Sequence, residues 1–125
     1  MHVRERHKRD SMNVGRFQLT YCTNVHPGET LDEIYKVLNG DVVAVRDALG
    51  VTSFGLGIRL GHSVISQLLR DTDHQKAFIN VCHSQNYSVF TVNGFPYGNF
   101  DSGRVKENVY APDWTHNERL QYTLD

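Results

Sequence analysis

The chain has 125 residues, of which 39% are hydrophobic, and 13 Lys and Arg against 14 Asp and Glu leave a formal charge of -1. This length suits one domain. The near-neutral charge lacks the basic excess that dominates nucleic-acid affinity. No apolar run approaches the roughly 20 residues of a membrane span. Two cysteines, Cys22 and Cys82, are too few for a disulfide-rich secreted scaffold. Cysteine count, charge and hydropathy together predict a cytoplasmic protein with neither a nucleic-acid partner nor membrane insertion.

Residues 1–11 differ from the rest because they are highly charged and contain almost no apolar side chain. The hydrophobic region of a secretory signal is missing there. We predict that residues 1–11 form a disordered basic tail, which is an extension produced by an upstream start site. The folded part is predicted to span 12–125 and to begin at Met12. Without the tail, nine basic and twelve acidic residues remain, a charge of -3. A basic arm for nucleic acid or anionic lipid would require more positive charge.

Alternation of apolar and polar residues predicts three β-strands, over 17–22, 54–60 and 87–93. The second strand carries Gly55 and Gly57 on one face, and glycines within a strand allow another layer or a ligand to approach the backbone. The strands begin about 35 residues apart, which is the spacing of parallel βαβ units.

Helices are predicted in the intervals between the strands. Thr30 and Glu33 have the spacing of a capping box, and the helix that they begin ends at Gly40. Thr115 and Glu118 have the same spacing and predict a last helix. Apolar spacing predicts three more helices, over residues 42–49, 64–69 and 77–82.

The alternation of strands and helices predicts an α/β fold with a parallel sheet. An open doubly wound sheet usually has about five strands, and a closed (β/α)8 barrel has eight in about 250 residues. Three units would leave sheet edges and one face uncovered. The pattern therefore indicates the beginning of a larger architecture.

Three motifs occur in order along the chain: LTYCTNVHPGET at 19–30, FGLGIRL at 54–60 and FTVNGFPYGNFDSGRVKENVYAPD at 90–113. Together they resemble the amino-terminal third of the EboE-like metabolite traffic proteins, a branch of the xylose isomerase-like TIM-barrel superfamily. The resemblance covers about residues 12–125. It implies the first three βα units of a (β/α)8 TIM barrel, incomplete in this chain.

The resemblance also implies a small sugar-like or isoprenoid-type metabolite as the ligand. Members of this superfamily hold a divalent cation with residues of later strands, so Mg²⁺ or Mn²⁺ is implied for a complete barrel and no cofactor for this part. By this interpretation the chain is inactive alone. An alternative is a non-catalytic binding or assembly subunit whose exposed strands pair with another chain or support self-association. An abasic-site nuclease of related fold is disfavoured by the charge.

In such barrels the loops at the carboxyl ends of the strands form the site. His26 is the predicted catalytic residue, because an imidazole can donate or accept a proton near neutral pH. The other candidates are predicted to bind substrate, and they are Asn24, Arg59, Asn93, Phe95, Tyr97 and Lys106.

Each of these residues also has a purely structural interpretation. His26 could fix its own loop by hydrogen bonding, and Arg59, a charge in an apolar strand, could form an ion pair. Phe95 and Tyr97 offer rings for stacking on a ligand, yet they also suit a tight turn lined by core aromatics. Lys106 lies in a long segment that could form a lid, or it could be a solvated surface charge.

Overall fold

The structure is a computed structural model that describes residues 11–97 and 110–125. Within this part the chain folds into a mixed α/β arrangement with helices around a small parallel sheet. The strands are β1 (Asn13–Val14), β2 (Phe17–Gln18), β3 (Tyr21–Cys22), β4 (Phe54–Arg59) and β5 (Tyr87–Asn93). The helices are α1 (Leu31–Asn39), α2 (Asp41–Leu49), α3 (His62–Arg70), α4 (Thr72–Ser84) and α5 (Asn117–Leu124). The predicted basic tail lies outside the described residues, apart from Ser11.

The parallel sheet has the order β3-β4-β5, so strands that follow one another in the chain are neighbours. Tyr21 pairs with Leu56 on one side of β4, and Leu56 pairs with Val89 on the other. The α/β fold and the parallel pairing that the sequence predicts are thus confirmed. Among the described residues, no helix combines the length and the apolar character needed to cross a bilayer.

The predicted first strand, 17–22, is wrong as a single element. Gly15 adopts a left-handed conformation with φ of 60°, which turns the chain so that β2 pairs antiparallel with β1. The Leu19 N–H continues this ladder by donating to the Met12 carbonyl at 3.0 Å. The chain changes its partner only after Leu19, and β3 alone joins the parallel sheet.

The central strand β4 is buried along its whole length. Phe54, Leu56 and Ile58 enter the core together with residues of α1, α2, α3 and α4, so these helices cover one face of the sheet. On the opposite face a Cβ atom on Gly55 would lie 2.7 Å from the Leu19 carbonyl oxygen. Gly55 therefore allows the chain before β3 to approach closely.

The helix α1 begins with the predicted capping box. Thr30 Oγ1 accepts from the Glu33 N–H at 3.3 Å, and Glu33 Oε2 accepts from the Thr30 N–H at 3.1 Å. The helix ends before Gly40, and α2 ends at Gly50, which has the left-handed φ of 65° expected of a helix-terminating glycine.

The second predicted capping box is wrong. The helix α5 begins after His116, and the Thr115 hydroxyl donates to Asp113 Oδ1 at 2.6 Å rather than capping the helix. Contacts with the sheet region hold α5 instead. The Tyr122 hydroxyl donates to the Leu60 carbonyl at 2.7 Å, and Arg119 Nη1 donates to the Gly94 carbonyl at 2.6 Å.

The outer strand β5 is much more exposed than β4. Its pairing with β4 shifts by one residue at Phe90, which forms a bulge. Val89, Phe90 and Val92 are 41%, 50% and 55% exposed. This strand therefore leaves apolar side chains partly exposed on both faces of the sheet.

Candidate functional site

Three side chains meet at the carboxyl ends of β3 and β5. Asn24 lies in a short 3₁₀ helix, Thr23–Val25, directly after β3, and Asn93 is the last residue of β5. Asn93 Nδ2 donates to Asn24 Oδ1 at 3.2 Å and to Cys22 Sγ at 3.3 Å. We call Cys22, Asn24 and Asn93 the carboxyl-edge cluster.

The cluster bridges the sheet because Gly57 of the central strand has no side chain. Cys22 pairs with Gly57, and a Cβ atom on Gly57 would lie 3.8 Å from Asn93 Nδ2. Asn24 and Asn93 are thus brought together as the strand-end argument predicts. Sequence reasoning missed Cys22, although the alternation of β3 places it on the same face as Gly57.

Arg59 is buried, with 5% of its surface exposed, and it is held by an ion pair. Its Nη1 lies 2.7 Å from Glu29 Oε1, and its Nε donates to the Phe95 carbonyl at 3.2 Å. These contacts match the structural interpretation of Arg59, in which the buried charge forms an ion pair. Arg59 joins the loop after β3 to the loop after β5, and so it positions the two segments that flank the cluster.

His26 does not share contacts with the carboxyl-edge cluster. Its Nε2 lies 2.8 Å from the Tyr21 hydroxyl, and its Nδ1 lies 3.6 Å from Asp41 Oδ2. The Tyr21 ring packs against Phe54 of the core, with centroids 5.8 Å apart. These contacts fix the loop after β3 against the start of α2.

Aromatic contacts hold the segment after β5. Phe95 meets the Tyr110 ring edge-on, with centroids 5.9 Å apart. Tyr97 lies 5.1 Å from the ring of His62, whose backbone N–H donates to the Pro96 carbonyl at 2.8 Å. Phe95 and Tyr97 therefore pack on neighbouring rings within the chain.

Lys106 lies outside the described residues. Asp113, near the end of the same predicted lid, accepts hydrogen bonds from the Thr115 side chain and backbone and from His116. Those bonds, the Thr115 hydroxyl first, lower the pKa of Asp113 from 3.8 to about 2. Asp113 is therefore a carboxylate at neutral pH, and it closes the turn before α5.

No group of three His, Cys, Asp or Glu side chains in the described residues is arranged to hold a metal ion. Comparisons with family models, with curated proteins and with solved structures found no match for this chain.

Proposed function

We propose that this chain is the amino-terminal part of an EboE-like TIM barrel and handles a small sugar-like or isoprenoid-type metabolite at the carboxyl-edge cluster. The observation that carries the proposal is the pairing of the Asn24 and Asn93 amides beside Cys22. Amides offer both a donor and an acceptor, so this pair can exchange its mutual bond for bonds to the hydroxyl or phosphate oxygens of a ligand.

The arrangement of the sheet supports the barrel interpretation. Its three parallel strands are adjacent in chain order, and four helices cover one face. Among the described residues β5 pairs only with β4, and its outer edge is where a further parallel strand of a barrel would pair. Active sites of such barrels form at the carboxyl ends of the strands, where the cluster lies.

The residues around the cluster would act as follows. Asn24 and Asn93 orient the ligand, and the Arg59–Glu29 pair keeps the two loops in place. His26, with Tyr21 at 2.8 Å, shares no contact with the cluster, so it would move a proton only for a ligand that extends from the cluster to its ring. Residues of later strands would hold the Mg²⁺ or Mn²⁺ of a complete barrel.

The test is ligand titration of the 125-residue chain, with D-xylose and geranyl diphosphate as probes. Two-dimensional NMR follows the side-chain amide signals of Asn24 and Asn93. We expect one probe to shift both signals saturably, and Asn93→Ala to weaken its binding about tenfold, the equivalent of one or two hydrogen bonds. The melting temperature should stay nearly unchanged, because Asn93 is not part of the core.

Asn39→Ala is the matched control, since Asn39 lies at the end of α1 and donates to the Tyr35 carbonyl. It should leave the affinity for the probe unchanged. Absence of any shift with both probes, or equal weakening by Asn39→Ala and Asn93→Ala, would rule out a site at the cluster.

The exposed strand β5 favours a second candidate function, that of an assembly subunit which pairs with another chain or with its own copy. Analytical ultracentrifugation should then show an association that rises with concentration and that Phe90→Lys abolishes. Ile79→Lys is the matched control, because Ile79 on α4 is also 50% exposed. A folded monomer at every concentration would count against self-association.

A further inference from the structure

A groove of about 500 Å³ opens between α3, β5 and α5. Apolar side chains supply most of its wall, among them Ile65, Leu68 and Leu69 of α3 and Val92 of β5. Its volume lies within the range of small-molecule sites. The groove shares no residue with the carboxyl-edge cluster. A ligand in the groove would therefore be distinct from the metabolite proposed for the cluster.

One cation, Arg119, lines this groove and also an adjoining cavity of about 360 Å³ that is lined by Phe95, Tyr110 and Asp113. Its Nη1 donates to the Gly94 carbonyl at 2.6 Å, and its Nε is buried without a hydrogen-bond partner among the described residues. The guanidinium lies 4.8 Å from the centre of the Trp114 ring. These contacts hold the side chain in place without neutralising it.

The neighbouring acids do not pair with Arg119. Asp113 accepts its hydrogen bonds from Thr115 and His116, and Asp125 Oδ1 accepts from Gln121 at 2.8 Å. Within the described residues Arg119 forms no ion pair. A half-buried guanidinium with no carboxylate within ion-pair distance among the described residues favours an anion, because charge-assisted hydrogen bonds are stronger where water is partly excluded.

We propose that this groove binds a small amphiphilic anion. Its apolar chain lies between α3 and α5 against Ile65, Leu68 and Val92, and its carboxylate or phosphate head contacts Arg119. The chain contributes affinity by burying apolar surface, at roughly 25 cal/mol per Å². The head contributes selectivity, because the guanidinium discriminates against neutral and cationic analogues.

Trp114 provides the probe, since it is the single tryptophan of the chain and lines the groove. Its fluorescence is followed while decanoate or decyl phosphate is added below the concentration at which micelles form. Decanol and decyltrimethylammonium serve as the neutral and cationic analogues. We expect a saturable change with both anions, and at least about tenfold weaker binding of the two analogues. The tighter of the two anions identifies the head group.

Arg119→Gln should weaken decanoate binding about tenfold and leave decanol binding unchanged. Arg70→Gln is the matched control, because Arg70 is exposed at the end of α3 and does not line the groove. It should bind decanoate as the wild type does.

A second pair of variants tests the charge without disturbing Arg119. Leu69 lines the groove and is 50% exposed, so a polar side chain is tolerated there. Leu69→Lys should bind decanoate more tightly than Leu69→Glu. Equal affinities for these two variants, equal binding of decanol and decanoate, or the absence of any saturable fluorescence change would overturn the proposal.

Discussion

At the scale of single residues, Arg59 and Tyr87 carry polar groups into the interior, and each has a partner far away in the chain. Arg59 pairs with Glu29, and the Tyr87 hydroxyl donates to the Leu38 carbonyl at 2.7 Å. Burial is costly for a polar group without a partner. Loss of the Arg59–Glu29 ion pair or of the Tyr87–Leu38 hydrogen bond should therefore lower the free energy of unfolding.

Glu29→Gln removes the carboxylate charge that compensates the buried Arg59. We expect the free energy of unfolding to fall by about 3 kcal/mol, the lower end of the range for a broken buried ion pair, since Glu29 is partly exposed. Urea denaturation measures the loss. Lys76→Ala, which removes an exposed pair with Asp73, should cost less than about 0.5 kcal/mol. Equal denaturation midpoints for the two variants would contradict the structural role of Arg59.

Burial raises the pKa of Tyr87 from 10.0 to about 12. The folded protein therefore keeps this proton up to about pH 12, while the unfolded chain loses it near pH 10. The stabilisation is fully present below pH 10 and is lost as the pH rises towards 12. The difference in stability between the wild type and Tyr87→Phe should shrink when urea denaturation is repeated at increasing pH above 10. A constant difference would show that Tyr87 titrates normally.

At the scale of elements, β4 depends on its two glycines in different ways. A Cβ atom on Gly57 would lie 2.8 Å from Thr91 Oγ1, a side-chain atom, whereas one on Gly55 would lie 2.7 Å from the Leu19 carbonyl oxygen. A side chain can be shortened by mutation, but a backbone carbonyl cannot. The two positions therefore differ in whether a second substitution can restore stability.

Gly57→Ala should destabilise the protein by about 1–3 kcal/mol, as overpacking typically does. The double variant with Thr91→Ala should recover most of this loss, because it removes the atom that the new methyl group meets. Gly55→Ala with Thr91→Ala should show no such recovery and serves as the control. Thermal unfolding of Gly57→Ala, Gly55→Ala and the two double variants measures these changes. Equal recovery in both backgrounds would show that Thr91 is not the obstacle.

At the scale of the whole molecule, the sheet has a protected centre and open margins. The strand β4 pairs on both sides and is buried throughout, whereas β1, β2 and most of β5 are exposed. Regions with few buried apolar contacts open more often than the core. Local stability should therefore decrease from β4 outward.

Native-state hydrogen exchange tests this gradient. The hydrogen-bonded amides of β4 should be the best protected, and those of β1 and β2 should exchange at least roughly 100-fold faster after correction for intrinsic rates. Comparable protection in β4 and in the β1–β2 hairpin would show that the hairpin belongs to the same cooperative unit as the sheet.

The sequence by itself determined the elements that depend on short-range interactions. The capping box of Thr30 and Glu33 joins residues three positions apart, and the glycines that end α1 and α2 act on their own turn. The strands β4 and β5 follow from alternation within a few residues. The first strand was predicted wrongly because the local turn at Gly15 competes with the sheet for 17–18.

Only the tertiary structure decided the partners of the candidate site residues. Asn93 meets Asn24, and Arg59 meets Glu29, across separations of 69 and 30 residues. His26 contacts Tyr21 and Asp41 rather than the cluster, although strand-end reasoning grouped it with Asn24. Periodicity places a residue on a face or at a strand end, but packing of the whole chain selects its partner, because that choice depends on which distant groups need a compensating charge or hydrogen bond.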